Sequence, residues 1–87
     1  MINMEESQAA MQIIQTVKKW DPFQAGQDFY ETEAAEIVQA VYTEDDPEQL
    51  GKTIQAVFEV SFDQVLPLED CIKLAEKLLV IKDSSTC

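Results

Sequence analysis

The spacing of apolar residues constrains the fold most, because it recurs at intervals of three and four along much of the chain. Two segments carry the i, i+3, i+4, i+7 pattern that places an apolar stripe on one face of a helix. These stripes are Ala10, Ile13, Ile14 and Val17, then Ala34, Ile37, Val38 and Val41. A third stripe runs from Leu50 to Phe58, and a broader fourth arc runs from Leu68 to Ile81. The pattern predicts an all-α fold: a small four-helix domain, with roughly antiparallel helices and short loops.

Local signals predict the ends of the first two helices. Pro22 disfavours the α conformation at the residue before it, so the first helix is expected to end near Trp20. Asp28 is predicted to cap the second helix, with Glu31 three residues later completing a capping box.

Prolines mark the starts of the other two helices. Asp46 and Pro47 predict an N-cap followed by a first helical residue, and Pro67 is expected to open the fourth helix. Residues 57–62 belong to a stretch that also alternates with a period of two, which is typical of a strand. A helix is favoured there, because a lone strand would have no partner. The whole of 1–87 is predicted to be one domain, with 83–87 as a frayed tail.

The net charge of the chain restricts the kinds of molecule that it is expected to bind. The formal net charge is −11, from 17 acids and 6 bases, and every base is a lysine. Arginine is the side chain that most often reads phosphate and guanine, so its absence argues against nucleic-acid binding. An acidic surface would also repel anionic lipid head groups, so no membrane binding is expected. A basic protein is the partner that such a surface favours.

The absence of recognisable targeting signals and the two cysteines bear on the cellular compartment in which the protein is expected. The chain has no apolar run of the roughly 18–20 residues that span a bilayer, and its first ten residues lack the order of a signal peptide. We therefore expect a cytoplasmic protein. Cys71 and Cys87 are expected to be free thiols there, Cys71 in the core and Cys87 in the tail.

Several short segments occur in an order that resembles a known family. They are WDPF at 20–23, YETE at 30–33, IVQAV at 37–41, FEVSF at 58–62, PLEDC at 67–71, AEKLL at 75–79 and a terminal Cys87. Together they resemble the YugE-like family of small proteins from Bacillus-type bacteria, over nearly the whole chain. The family is a domain of unknown function. The resemblance implies a small helical fold in a bacterial cytoplasm, and it implies no activity.

The candidate site lies in a window without bases between Lys19 and Lys52. This window holds nine acids: Asp21, Asp28, Glu31, Glu33, Glu36, Glu44, Asp45, Asp46 and Glu48. Helix caps and solvated helix faces would account for several of them. The acids without such an assignment, together with an aromatic residue outside the helical stripe, are the candidate partner-binding residues: Glu33, Glu36, Glu44, Asp45 and Phe29. This set favours a non-enzymatic protein-interaction or regulatory module with an acidic face.

Two other interpretations stay open. The first is a divalent-metal-dependent hydrolase that uses the acidic cluster around Glu33 and Glu36, since hard cations bind convergent carboxylates. The second is a structural homo-oligomer that buries the broad apolar arc of the fourth helix. Without histidine the chain has no Ser-His or Cys-His pair, so no catalytic, metal-binding or cofactor-binding residue is assigned and no cofactor is predicted.

Overall fold

Four α-helices make up most of the chain. The computed structural model describes residues 4–85. Its helices are α1 (Met4–Trp20), α2 (Glu31–Thr43), α3 (Pro47–Phe62) and α4 (Leu68–Ser85), with a short 3-10 helix (Gln27–Tyr30) directly before α2. Within residues 4–85 there is no strand, and residues 57–62 continue α3. The all-α, four-helix prediction is confirmed.

The predicted signals at two helix ends have the expected geometry. α1 ends at Trp20, and Asp21 leaves the α region with a φ of 41°. Asp46 caps α3, because its Oδ1 accepts a hydrogen bond of 3.2 Å from the backbone N–H of Glu48. Pro47 follows at the first helical position, where a missing N–H costs nothing.

The start of α2 differs from the prediction. Tyr30 occupies the N-cap position and makes no side-chain capping bond, whereas Asp28 lies inside the 3-10 helix. The predicted capping box of Asp28 and Glu31 is therefore wrong. The physical reason is that the 3-10 turn runs straight into α2, so the helix has no extended residue at the place where Asp28 was expected to act.

The start and end of α4 each shift slightly from expectation. The helix begins at Leu68, and the carbonyl of Pro67 accepts from the N–H groups of Asp70 and Cys71, so Pro67 precedes the first helical residue. The helix continues to Ser85. The first three residues of the predicted tail are thus helical, and the last two lie outside the described residues.

The core forms where the predicted stripes meet. α2 and α4 each pack against the other three helices. Fully buried side chains come from every helix and include Ile13, Val17, Tyr30, Ile37, Val41, Leu50, Ile54, Phe58, Cys71 and Leu78. On α1 the stripe is shifted by one residue at its start, since Ala9 rather than Ala10 is buried.

Gly51 allows α3 and α4 to approach closely. A Cβ at this position would lie 2.6 Å from Cγ1 and 2.9 Å from Cα of Ile72. On the same side, the Gln55 amide donates a 2.7 Å hydrogen bond to the carbonyl of Leu66. The loop after α3 therefore returns along that helix before α4 begins, and α4 extends past the start of α3 to reach the end of α2.

The helices are too short or too polar for a bilayer. Among the described residues, none combines the length and the apolar character that a membrane span requires.

Candidate functional site

The loop between α2 and α3 (residues 44–46) contains two of the predicted partner-binding acids, and the structure gives each an intramolecular contact. Glu44 Oε1 accepts a 3.1 Å hydrogen bond from the backbone N–H of Asp46. Asp45 Oδ1 lies 2.5 Å from Lys82 Nζ on α4. With Asp46 capping α3, all three acids of the α2–α3 loop help to hold the loop in place.

Lys82 is the buried partner of this loop. Its side chain is only 11% exposed, although that of Asp45 is 93% exposed. Lys82 Nζ also donates a 2.8 Å hydrogen bond to the carbonyl of Val41, near the C-terminus of α2. An ammonium group at that helix end satisfies a carbonyl left without a partner and suits the helix dipole. Lys82 therefore ties the end of α4 to the end of α2.

Glu33 and Glu36 differ in solvent exposure. Glu33 is 9% exposed in the first turn of α2, whereas Glu36, one turn later, faces solvent. Among residues 4–85, no group of three or more His, Cys, Asp or Glu side chains is arranged to hold a metal ion. The convergent carboxylates that the hydrolase interpretation requires are not brought together in this part of the chain.

Phe29 is exposed at the other acidic connection, between α1 and α2 (residues 21–30). Its ring is 57% exposed and stacks on Phe62 of α3, with centroids 5.3 Å apart and planes 26° apart. Asp28, the residue before it, is exposed as well. Both residues are therefore exposed, with Asp28 at a groove along α1 that Lys18 also lines and Phe29 against the end of α3.

The first part of the α1–α2 connection is organised by Asp21. Its Oδ1 accepts a 2.5 Å hydrogen bond from the hydroxyl of Tyr30 and a 2.9 Å bond from the backbone N–H of Ala25. The Tyr30 hydroxyl in turn accepts a 3.2 Å bond from the N–H of Phe23. The Tyr30 hydrogen bond, with help from the backbone N–H groups, lowers the pKa of Asp21 below its ordinary value. Burial, and then the Asp21 carboxylate, raise the pKa of Tyr30. Asp21 is thus a structural acid.

The thiol of Cys71 is buried in the core. It is a free cysteine with no exposed surface. Burial, with a smaller contribution from the charge of Asp70, raises the pKa of Cys71 to about 11. The burial of Cys71 confirms the prediction of a core thiol. Because the thiolate is the reactive form, the raised pKa makes this thiol less reactive. Cys87 lies outside the described residues.

Two structural contacts could not be read from sequence spacing. The buried lysine at position 82 is at the C-terminal end of a helix, where an exposed lysine is the common case. The hydrogen bond between Asp21 and Tyr30 joins residues nine apart. A weak signal existed for the second, since a buried tyrosine hydroxyl requires a partner and Asp21 follows the end of α1.

Comparisons with known proteins agree with the fold. Residues 12–87 match the family model described as Domain of unknown function (DUF1871). The uncharacterized protein YugE of Bacillus subtilis (strain 168) is 55% identical over 84 residues, which cover 97% of this chain and 98% of YugE. The crystal structure of APC36109 from Bacillus stearothermophilus superposes with a TM-score of 0.89 at 38% identity, covering 91% of this chain and 98% of that one. The chain therefore belongs to the DUF1871 family, and its resemblance to YugE is confirmed.

Proposed function

We propose that this domain is a non-enzymatic protein-interaction or regulatory module that binds a basic protein. The observation that carries the proposal is the exposed pair Asp28 and Phe29, which lies in a stretch of sequence without any base. Glu36, which is on α2, is an exposed carboxylate in the same stretch. Aromatic side chains often supply the binding energy of an interface, and charges around them steer the encounter.

The structure changes which acids this proposal uses. Glu44 has a contact within the α2–α3 loop, Asp45 contacts Lys82 although its own side chain is 93% exposed, and Glu33 is largely buried. Asp28 has no capping role and is exposed. The proposed binding residues are therefore the exposed acids Asp28 and Glu36, together with Phe29.

A cytoplasmic setting is part of the proposal. The buried free thiol of Cys71 suits a reducing compartment. A net charge of −11 would attract basic proteins there over a distance set by the Debye length, roughly 8 Å at physiological ionic strength.

The other two interpretations have less support from the contacts. The homo-oligomer was expected to bury the apolar arc of α4, but Leu74, Ala75, Leu78 and Leu79 are already buried within the domain. Val80 remains 63% exposed on α4, and a single exposed valine is ordinary for a folded protein. The hydrolase interpretation depends on Glu33 and Glu36, and these two carboxylates differ in burial.

Quantitative affinity capture tests the proposal. Immobilised wild-type protein, a D28N/E36Q variant and a matched E69Q/E76Q variant would be incubated with Bacillus subtilis lysate at low and moderate salt. The control removes the same charge from exposed acids of α4. We expect basic proteins that wild type and the control enrich equally and that D28N/E36Q recovers several-fold less, with recovery falling as salt rises. Equal recovery by all three proteins would contradict the proposal.

A further inference from the structure

The ring of Phe29 is held in a fixed orientation with one face available. Phe62 stacks against it at 5.3 Å, and the ring of Tyr30 meets it nearly edge-on, at 5.9 Å and 83°. Phe62 is itself supported by Phe23 and Phe58, at 4.9 and 5.8 Å. Because one face of the Phe29 ring is covered by Phe62 while 57% of the residue stays exposed, the opposite face is open to solvent.

Three acids lie close in sequence to the residues of this aromatic stack. Asp28 directly precedes Phe29, and Asp63 directly follows Phe62. Glu59 lies one helical turn before Asp63, whose backbone N–H donates to the Glu59 carbonyl at 2.8 Å. All three acids are exposed. The nearby lysine is Lys18, which lines a groove with Asp28 and lies 3.5 Å from the Glu31 carboxylate. The exposed residues next in sequence to the stack therefore carry negative charge, and Lys18 lies on the α1 side of Asp28, beside Glu31.

We infer that the open face of Phe29 is the docking point for an arginine side chain of the basic partner, with Asp28 and Asp63 as its carboxylate neighbours. This inference rests on the proposed function and specifies its contact. A guanidinium group is planar and weakly hydrated, so it stacks on an aromatic face and keeps its N–H groups free to bond carboxylates beside the ring. An ammonium group is more strongly hydrated and cannot stack in this way. The surface should therefore prefer arginine to lysine.

The preordered ring makes the contact favourable. A free phenylalanine loses side-chain freedom when a ligand stacks on it, but the Phe29 ring already packs against Phe62 and Tyr30. Exposed aliphatic residues such as Val60, at 87% exposure, offer no such face, and the aromatic residue Tyr42 is less exposed than Phe29, at 40%.

A peptide titration tests the inference. The 15N-labelled full-length protein would be titrated at low salt with two capped peptides of equal charge, Arg-Ala-Arg-Ala and Lys-Ala-Lys-Ala, and Kd obtained from amide shifts. The variants are F29L, which keeps an apolar side chain and removes the aromatic face, and E76Q as a control for charge. Circular dichroism of F29L would establish that the helices are retained.

The expected result is a preference for the arginine peptide of about two- to fivefold, the range of an exposed cation–π contact. The largest shifts should be at Asp28, Phe29, Phe62 and Asp63. F29L should abolish the preference, while E76Q should retain it.

Four results would overturn the inference. The first is an unchanged arginine preference in F29L, and the second is a set of shifts centred away from Phe29. The third is a concentration-dependent mass in sedimentation equilibrium that F29L removes, because a second copy of this chain would then cover the ring. A loss of binding in D28N/E36Q with no effect of F29L would overturn the arginine contact and leave the acidic interaction standing.

Discussion

The two acidic connections on either side of α2 have opposite structural roles. In the α2–α3 loop (residues 44–46), Glu44 bonds a backbone N–H, Asp45 contacts Lys82 and Asp46 caps α3. In the α1–α2 connection (residues 21–30), Asp21 is bonded to Tyr30, but Asp28 and Phe29 face solvent. The acids of one connection therefore hold a structural loop, whereas the other connection combines a structural acid with an accessible surface.

The difference shows that charge density alone does not locate a binding surface. A carboxylate that accepts backbone or lysine hydrogen bonds contributes to the fold, and a partner would have to replace those bonds. A carboxylate beside an exposed aromatic ring has no such competition. The acids of the two connections thus differ in their contacts, and variants in each connection test that difference.

G51A should have the largest effect, because the position of α4 opposite the α2–α3 loop depends on the close approach at Gly51. The added Cβ would lie 2.6 Å from Ile72 Cγ1 and 2.9 Å from its Cα, so the helix backbones must separate. We expect a loss of about 2–3 kcal/mol in the free energy of unfolding. Alanine otherwise favours a helix over glycine by roughly 1 kcal/mol. Urea denaturation followed by circular dichroism would measure the change, and an increase in stability would contradict the packing described.

K82M should have the second largest effect. Methionine retains an apolar stem but leaves the carbonyl of Val41 without its buried donor. The expected loss is about 1–3 kcal/mol, the cost of an unsatisfied buried polar group. The matched control is K52M, since Lys52 is half exposed and lies 3.9 Å from Glu48. An exposed pair of this kind contributes roughly 0–1 kcal/mol. If both variants lose the same stability in urea, Lys82 does not support the α2–α3 loop as proposed.

Y30F tests the structural half of the α1–α2 connection. It removes the hydroxyl that donates to Asp21 and accepts from Phe23, so we expect a loss of about 1 kcal/mol at neutral pH, measured by urea denaturation.

The same variant should change the acid dependence of stability. The Tyr30 hydroxyl lowers the pKa of Asp21 from its ordinary value of 3.8. The resulting stabilisation is present above that value and is lost as the pH falls through the lowered pKa of the folded state. Urea midpoints measured between about pH 5 and pH 2 should therefore fall less steeply in Y30F than in wild type. Parallel curves would show that this hydrogen bond does not control Asp21.

D28N should have the smallest effect on stability. Asp28 is exposed and makes no capping bond to α2, so the free energy of unfolding should change by less than about 0.5 kcal/mol. Thermal unfolding would measure it beside Asp46→Ala, which removes the α3 cap and should cost about 1 kcal/mol. A loss in D28N as large as in the Asp46 variant would remove the distinction between the two connections.

Much of the fold could be predicted because its signals are local. The apolar period predicted each helix, and Pro22 and the Asp46–Pro47 pair predicted two helix ends from backbone sterics and one capping bond. The same local reasoning failed at Asp28, because a 3-10 helix leads directly into α2 and places Tyr30, rather than Asp28, at the N-cap position.

The candidate partner-binding residues differ in their surroundings, and their role in binding stays a prediction. Of the five proposed residues, Phe29 and Glu36 are exposed, Glu33 is largely buried, and Glu44 and Asp45 have intramolecular partners. Burial depends on how α2 is rotated against its neighbours, and the contact of Asp45 depends on a lysine 37 residues away. Neither quantity can be obtained from the spacing of acids.

The class of this protein, an acidic, all-helical domain of the YugE-like family, follows from its amino-acid sequence, because apolar periodicity over a few residues predicts each helix. Which charges hold the fold and which remain at the surface depends on how the helices pack. The physical reason is distance along the chain. Helix formation and capping are settled within a turn or two, whereas Lys82 reaches Val41 and Phe29 stacks on Phe62 only after the helices have packed.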